Sequence, residues 1–143
     1  MITLEPQRRE DTKKEFVPIP LELERIATEV VDSAFKVHST LGPGLLESVY
    51  ETCLTHELRK RGLKVQNQVT LPIIYDGVRL EAGLRIDLLV ENQLVVEIKA
   101  VEAMAPVFEA QLLTYLKLTR NRLGLLVNFN VPRIKEGIKR VIL

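Results

Sequence analysis

Asp87, Glu97 and Lys99 stand in the order Asp87-x9-Glu97-Ile98-Lys99, and Gln111-x3-Tyr115 follows. The first three fall within two apolar runs, Leu84 to Val90 and Leu94 to Ile98. An ionised carboxylate in such a run is costly unless something pairs with it. Two carboxylates and a lysine at one end of a sheet can hold a divalent cation and the water it activates. That is the chemistry of metal-assisted phosphodiester hydrolysis, provided the strands bring the groups together.

The hydrophobic pattern predicts that they do. Leu84, Ile86, Leu88 and Val90 alternate with Arg85 and Asp87; Leu94, Val96 and Ile98 alternate with Glu97 and Lys99. Opposite residues of an antiparallel pair share a face. Matching the apolar rows sets Val90 against Leu94, Leu88 against Val96 and Ile86 against Ile98, which brings Asp87 opposite Glu97 and Arg85 opposite Lys99. This needs an odd-length turn such as Glu91-Asn92-Gln93. A two-residue turn would slip the register and part the carboxylates. Two close like charges raise each other's proton affinity unless a cation offsets them. The structural alternative is a buried ion-pair cluster of Arg85, Asp87, Glu97 and Lys99, a weak support for a fold.

The elements that would position these residues are legible along the 143-residue chain. Residues 1–18 read as a flexible, charged N-terminal arm closed by Pro18 and Pro20, and 19–143 as the domain. Ile26, Val30, Ala34, Val37 and Leu41 recur at helical spacing from Leu21 to about Thr40. Gly42-Pro43-Gly44 breaks that helix. A second is expected from about Leu45 to Arg61, with Leu46, Val49, Cys53 and Leu54 inward and Gly62 as its stop. Val65 to Tyr75 alternates as a strand, and Asp76-Gly77 signals a two-residue hairpin turn. That turn pairs Tyr75 with Val78, Ile73 with Leu80 and Leu71 with Ala82; Gly83 marks a bulge. Pro106 precedes a helix over about Val107 to Thr119. Leu123 to Phe129 reads as a buried strand and Ile138 to Leu143 as a short one. Three antiparallel strands followed by a helix and another strand make an α/β sandwich with a mixed central sheet.

Composition narrows the classes. Apolar residues make up 46% and charged residues 27%, as in ordinary globular domains. No apolar run nears the roughly 20 residues of a membrane span, and the polar start is not a signal peptide; no membrane association and a cytoplasmic location are expected. One cysteine, Cys53, excludes an internal disulfide and a four-cysteine metal site. Cys53, His38 and His56 read as structural. The last 27 residues carry about +6 and the rest about −5, within a net charge of +1. With Arg59, Lys60, Arg61 and Lys64, this basic third could face a phosphate backbone; a solvated surface is the alternative.

The αβββαβ order with Asp87 and Glu97-x-Lys99 on the second and third strands resembles the core of the PD-(D/E)XK nuclease superfamily. Within Leu41-Gly42-Pro43-Gly44-Leu45-Leu46-Glu47-Ser48-Val49-Tyr50, the residues Gly44, Glu47 and Tyr50 resemble the motif of the GxxExxY proteins. Gln111-x3-Tyr115 resembles the QxxxY motif of RecB-like nucleases. The resemblance covers about Leu21 to Leu143 and implies a single-domain restriction-endonuclease-like fold. It implies that Asp87, Glu97 and the Ile98 backbone carbonyl bind Mg²⁺ or Mn²⁺, with Glu47 adding a carboxylate directly or through water. Lys99 would serve the attacking water, and Gln111 and Tyr115 would meet a nucleic-acid substrate of unspecified type. The alternative reading places Glu47 in the first helical turn for the dipole and Tyr50 for packing. The proline of the superfamily name is Ile86 here, and the cysteines that bind iron–sulfur clusters in some RecB-like members are missing. A chain this small suits a homodimer or a protein partner. The rival reading is a catalytically silent nucleic-acid-binding or assembly module of the same fold.

Overall fold

The computed structural model describes residues 17–143, so the arm expected at 1–18 lies outside the described residues except for Val17 and Pro18. The elements are α1 (Leu21–Leu41), α2 (Glu47–Lys60), β1 (Val65–Tyr75), β2 (Val78–Val90), β3 (Leu94–Lys99), α3 (Pro106–Thr119), β4 (Leu123–Asn128) and β5 (Ile138–Ile142). Among the described residues the strands form one sheet in the order β1-β2-β3-β4-β5. Only β3 and β4 are parallel. That pair is joined through α3, which crosses the sheet as parallel neighbours require.

Helices α1 and α2 cover one face. Ile26, Val30, Ala34 and Val37 of α1 and Tyr50, Leu54 and Leu58 of α2 pack on Leu88, Val90, Leu94, Val96 and Ile98. Helix α3 covers the other face, with Leu112, Tyr115 and Leu116 on Leu89, Val95 and Leu126. The approach of α3 to β4 is close: a Cβ at Gly124 would stand 2.7 Å from the Leu112 side chain. The inward side of α2 differs from the expected one. Leu46 precedes the helix and is 74% exposed, Val49 is exposed, and Cys53 is only partly buried. The helix starts at Glu47, and Tyr50, Leu54 and Leu58, spaced by four, form the stripe that meets the sheet.

The β2–β3 turn is the expected three residues, with Glu91 and Asn92 in left-handed backbone (φ 52° and 55°). It sets Val90 against Leu94 and Leu88 against Val96. At the β1–β2 hairpin, Tyr75 meets Val78 and Ile73 meets Leu80, as expected, but Leu71 meets Leu84 rather than Ala82. The register shifts there because β2 carries extra residues beside Gly83, whose φ of 104° suits a residue without a Cβ. The alternation expected for Leu84, Ile86, Leu88 and Val90 also changes. Leu88 and Val90 pack under α1 and α2, whereas Ile86 and Leu84 join the α3 cluster. The paired strand changes with it, from Val65 on one side to Val69 and Leu71 on the other. The change falls at Asp87 and at Gln68, which has a left-handed φ of 51°.

No helix among the described residues is long and apolar enough to cross a membrane.

Candidate metal centre and substrate cleft

The β2–β3 ladder runs through Leu88 and Val96 and goes no further. Continued, it would bond Ile86 to Ile98. Instead the Ile98 N–H donates to Asp87 Oδ2 at 2.9 Å, and the Asp87 N–H donates to Glu97 Oε1 at 3.1 Å. Asp87 takes the amide that the ladder would have used, and Glu97 in turn takes the Asp87 N–H. A charged acceptor makes the shorter and stronger bond. The strands therefore part at the point where the two acids face each other.

The parted strands floor an open cleft of about 480 Å³, lined by Thr70, Glu81, Gly83, Leu84, Arg85, Asp87, Glu97, Lys99, Gln111 and Tyr115. Five of the predicted site residues thus meet at one place. Glu97 is 4% exposed. Burial, and then the neighbouring Asp87 charge, push its carboxyl up to about 8, with Lys99 opposing only weakly. Among the described residues no ion pair joins Arg85 or Lys99 to Asp87 or Glu97. The ion-pair cluster weighed as an alternative is not formed. The Lys99 ammonium lies 4.4 Å from the centre of the Phe108 ring, a cation–π contact.

Gln111 and Tyr115 present one face of α3 to the cleft. Burial and the Glu97 charge raise the proton affinity of the Tyr115 hydroxyl, and hydrogen bonds from the Arg85 backbone and the Gln111 side chain oppose this. Tyr115 thus brings α3 to the same cleft wall as Arg85 and Asp87 of β2.

Glu47 is not among the residues lining the cleft; its carboxylate accepts the Ala100 N–H at 3.4 Å, just beyond Lys99. Tyr50 does not bond Glu47. It is fully buried, stacked at 4.5 Å on Phe129, and its hydroxyl donates to the Gly42 carbonyl at 2.6 Å while accepting the Leu45 N–H. His38 bonds the Val131 carbonyl at 2.8 Å.

Three residues near the acids were not singled out from the sequence. Glu51, one turn after Glu47, bonds the Gln68 amide, which also reaches Asp87 Oδ1 at 3.4 Å. Burial raises the Glu51 carboxyl, and Asp87 adds to the rise. The helical i, i+4 spacing from Glu47 was the available signal. Asn128, 2% exposed, binds both the N–H and the carbonyl of Val101 and so fixes the chain that leaves Lys99. Its signal was a lone polar residue closing the apolar run of β4.

The oxygen donors suit a hard divalent cation. With one oxygen each committed to a backbone amide, Glu97 Oε2 and Asp87 Oδ1, the latter reached by the Gln68 amide at 3.4 Å, face the ion, and Glu97 is a buried acid lacking a paired cation. The Phe129 N–H bonds the Lys99 carbonyl, so by strand alternation Ile98 turns its N–H and C=O toward the parted β2 side. Asp87, Glu97 and the Ile98 carbonyl fit such an ion.

A model of the PD-(D/E)XK nuclease superfamily matches residues 24–141. The crystal structure of SSO0001 matches with a TM-score of 0.53 at 20% identity, over 84% of this chain; the match spans 62% of that chain. At that identity the likeness speaks for the restriction-endonuclease-like fold. No curated protein sequence matches.

Proposed function

This chain belongs to the PD-(D/E)XK nuclease superfamily, and on that premise we propose that it is a Mg²⁺- or Mn²⁺-dependent phosphodiesterase acting on nucleic acid. The observation that carries the reading is the reciprocal bonding of Asp87 and Glu97 beside Lys99 in an open cleft. A purely structural acid pair would be closed by its cations, and here none closes it.

Asp87, Glu97 and the Ile98 carbonyl hold the metal. When bound, the cation lowers the proton affinity of water and offsets charge on the phosphate. Glu97 must give up its proton to bind, which its raised affinity makes the costly step near neutral pH. Lys99, held over Phe108, orients the attacking water and stabilises charge gathering on the phosphate oxygens. Glu47 acts as a positioning residue by holding the Ala100 amide. Gln111 and Tyr115 border the substrate. The finer placement among the GxxExxY proteins, with a RecB-like QxxxY helix, is supported by Gly44, Glu47 and Tyr50 at the α2 entry and by Gln111 with Tyr115 on the cleft.

The test is cleavage of labelled single- and double-stranded DNA and RNA with Mg²⁺ or Mn²⁺. Metal-dependent cutting lost in Asp87→Ala is expected; cutting that survives in Asp87→Ala would overturn the assignment.

A further inference from the structure

We propose that Arg85 is a second phosphate-binding residue, gripping a backbone phosphate of the nucleic acid next to the one hydrolysed. The inference rests on the reading of the cleft as a phosphodiesterase site. Arg85 lines that cleft, is exposed, and its guanidinium makes no hydrogen bond or ion pair among the described residues. Several other basic side chains are already engaged, and none of the open ones, Lys64, Lys117, Arg120, Arg133 and Lys135, lines this cleft. Arg61 pairs with Glu29, Lys139 with Glu109 and Arg140 with Glu24, and Arg122 bonds the Val17 and Pro18 carbonyls. The Arg85 charge acts on Glu51 through space, yet no hydrogen bond or ion pair closes its fork among the described residues.

Its place argues for a flanking phosphate. Lys99 lies two residues after Glu97 on β3, bordered by β4; Arg85 lies two residues before Asp87 on β2, paired with Thr70 of the edge strand β1. The two cations thus lie toward the same end of the acids, Arg85 on the β1 side and Lys99 on the β4 side. Neighbouring strands stand about 4.8 Å apart, and β2 and β3 have parted beyond Leu88 and Val96, so Arg85 and Lys99 rise from backbones at least that far apart and meet different phosphates. Tyr115 of α3 lines the same cleft wall as Arg85. A guanidinium presents two parallel N–H groups to phosphate, which an ammonium cannot. A substrate gripped there needs at least two phosphates in series.

The test uses the full chain in a Lys99→Ala background, which prevents cutting, with fluorescein-labelled single-stranded DNA, duplex DNA and single-stranded RNA in a salt series with Mg²⁺. On whichever probe binds, Arg85→Ala is expected to weaken affinity about 10- to 100-fold and lower the salt slope by about one, with Arg85→Lys in between. With Lys99 intact, Arg85→Ala should raise the KM for the oligonucleotide and leave hydrolysis of bis(p-nitrophenyl) phosphate, which has a single phosphate, unchanged. Unaltered affinity and slope in Arg85→Ala, with metal-dependent cutting by the wild type, would sink the Arg85 assignment alone. An equal loss on bis(p-nitrophenyl) phosphate would overturn it too, by putting Arg85 on the reacting phosphate. Failure of the parent to bind any probe would sink both readings. Should Arg85→Ala fail to fold, Arg85→Lys carries the same comparison.

Discussion

The carboxylates of Asp87 and Glu97 each bond the other strand's backbone: Asp87 Oδ2 takes the N–H of Ile98, and Glu97 Oε1 takes the N–H of Asp87. This exchange ends the β2–β3 ladder and opens the cleft. It also leaves one oxygen of each acid for a cation.

Metal binding should therefore stabilise the fold. At Mg²⁺ 100-fold above its dissociation constant the gain is about 2.7 kcal/mol. Thermal unfolding with and without Mg²⁺ measures it. The gain should vanish in Asp87→Ala and in Glu97→Gln; a gain retained in both variants would move the metal elsewhere.

Glu97 gives the metal-free protein a pH dependence. Its folded pKa, about 8, lies above the ordinary value of 4.5. Between these values the native state holds more protons than the unfolded state, so stability is full below about pH 4.5 and is lost as pH rises toward 8. The slope reaches at most about 1.4 kcal/mol per pH unit. Urea unfolding in EDTA from pH 5 to 8 should show this decline in the wild type and a flatter profile in Glu97→Gln. Parallel profiles for the two proteins would refute the assignment.

Tyr115→Phe removes the hydroxyl that meets the Arg85 backbone and the Gln111 amide. The expected loss is about 1 kcal/mol of stability, with weaker oligonucleotide binding as the Arg85 segment loosens. Denaturant midpoints and anisotropy titrations read the two effects. Unchanged binding would confine Tyr115 to packing.

At the α2 entry, Tyr50→Phe leaves the Gly42 carbonyl and the Leu45 N–H without their buried partner and should cost about 1–3 kcal/mol. Tyr50→Ala also empties the stack on Phe129 and should cost roughly 3–5 kcal/mol. Urea unfolding checks both. Near-equal losses would mean that packing on Phe129 contributes little.

Periodicity read the β2–β3 register correctly as far as Leu88 and Val96, because apolar rows and turn length both demanded it. It failed beyond them. Alternation assumes an unbroken ladder, and the Asp87 carboxylate takes its next amide while Glu97 takes the Asp87 N–H. The Asp76-Gly77 turn was legible for the same local reason, whereas Leu71 met Leu84 because the bulge beside Gly83 adds residues that a pairing rule cannot count. On α2, Leu46 and Val49 were apolar but lay outside the stripe of Tyr50, Leu54 and Leu58 that the sheet selects. Asp87, Glu97, Lys99, Gln111 and Tyr115 could be named from spacing. Arg85 was placed beside the acids from spacing, but Glu51, Gln68 and Asn128 needed three dimensions, since each acts through a neighbour distant in the chain.

The most direct measurement is cleavage of labelled DNA and RNA with Mg²⁺ or Mn²⁺, comparing wild type with Lys99→Ala while metal binding is followed in both by thermal shift. The account predicts metal-dependent cutting by the wild type, none by Lys99→Ala, and metal binding retained by both. Metal binding without cutting of any probe by the wild type would contradict catalysis and leave a nucleic-acid-binding or assembly module of the same fold.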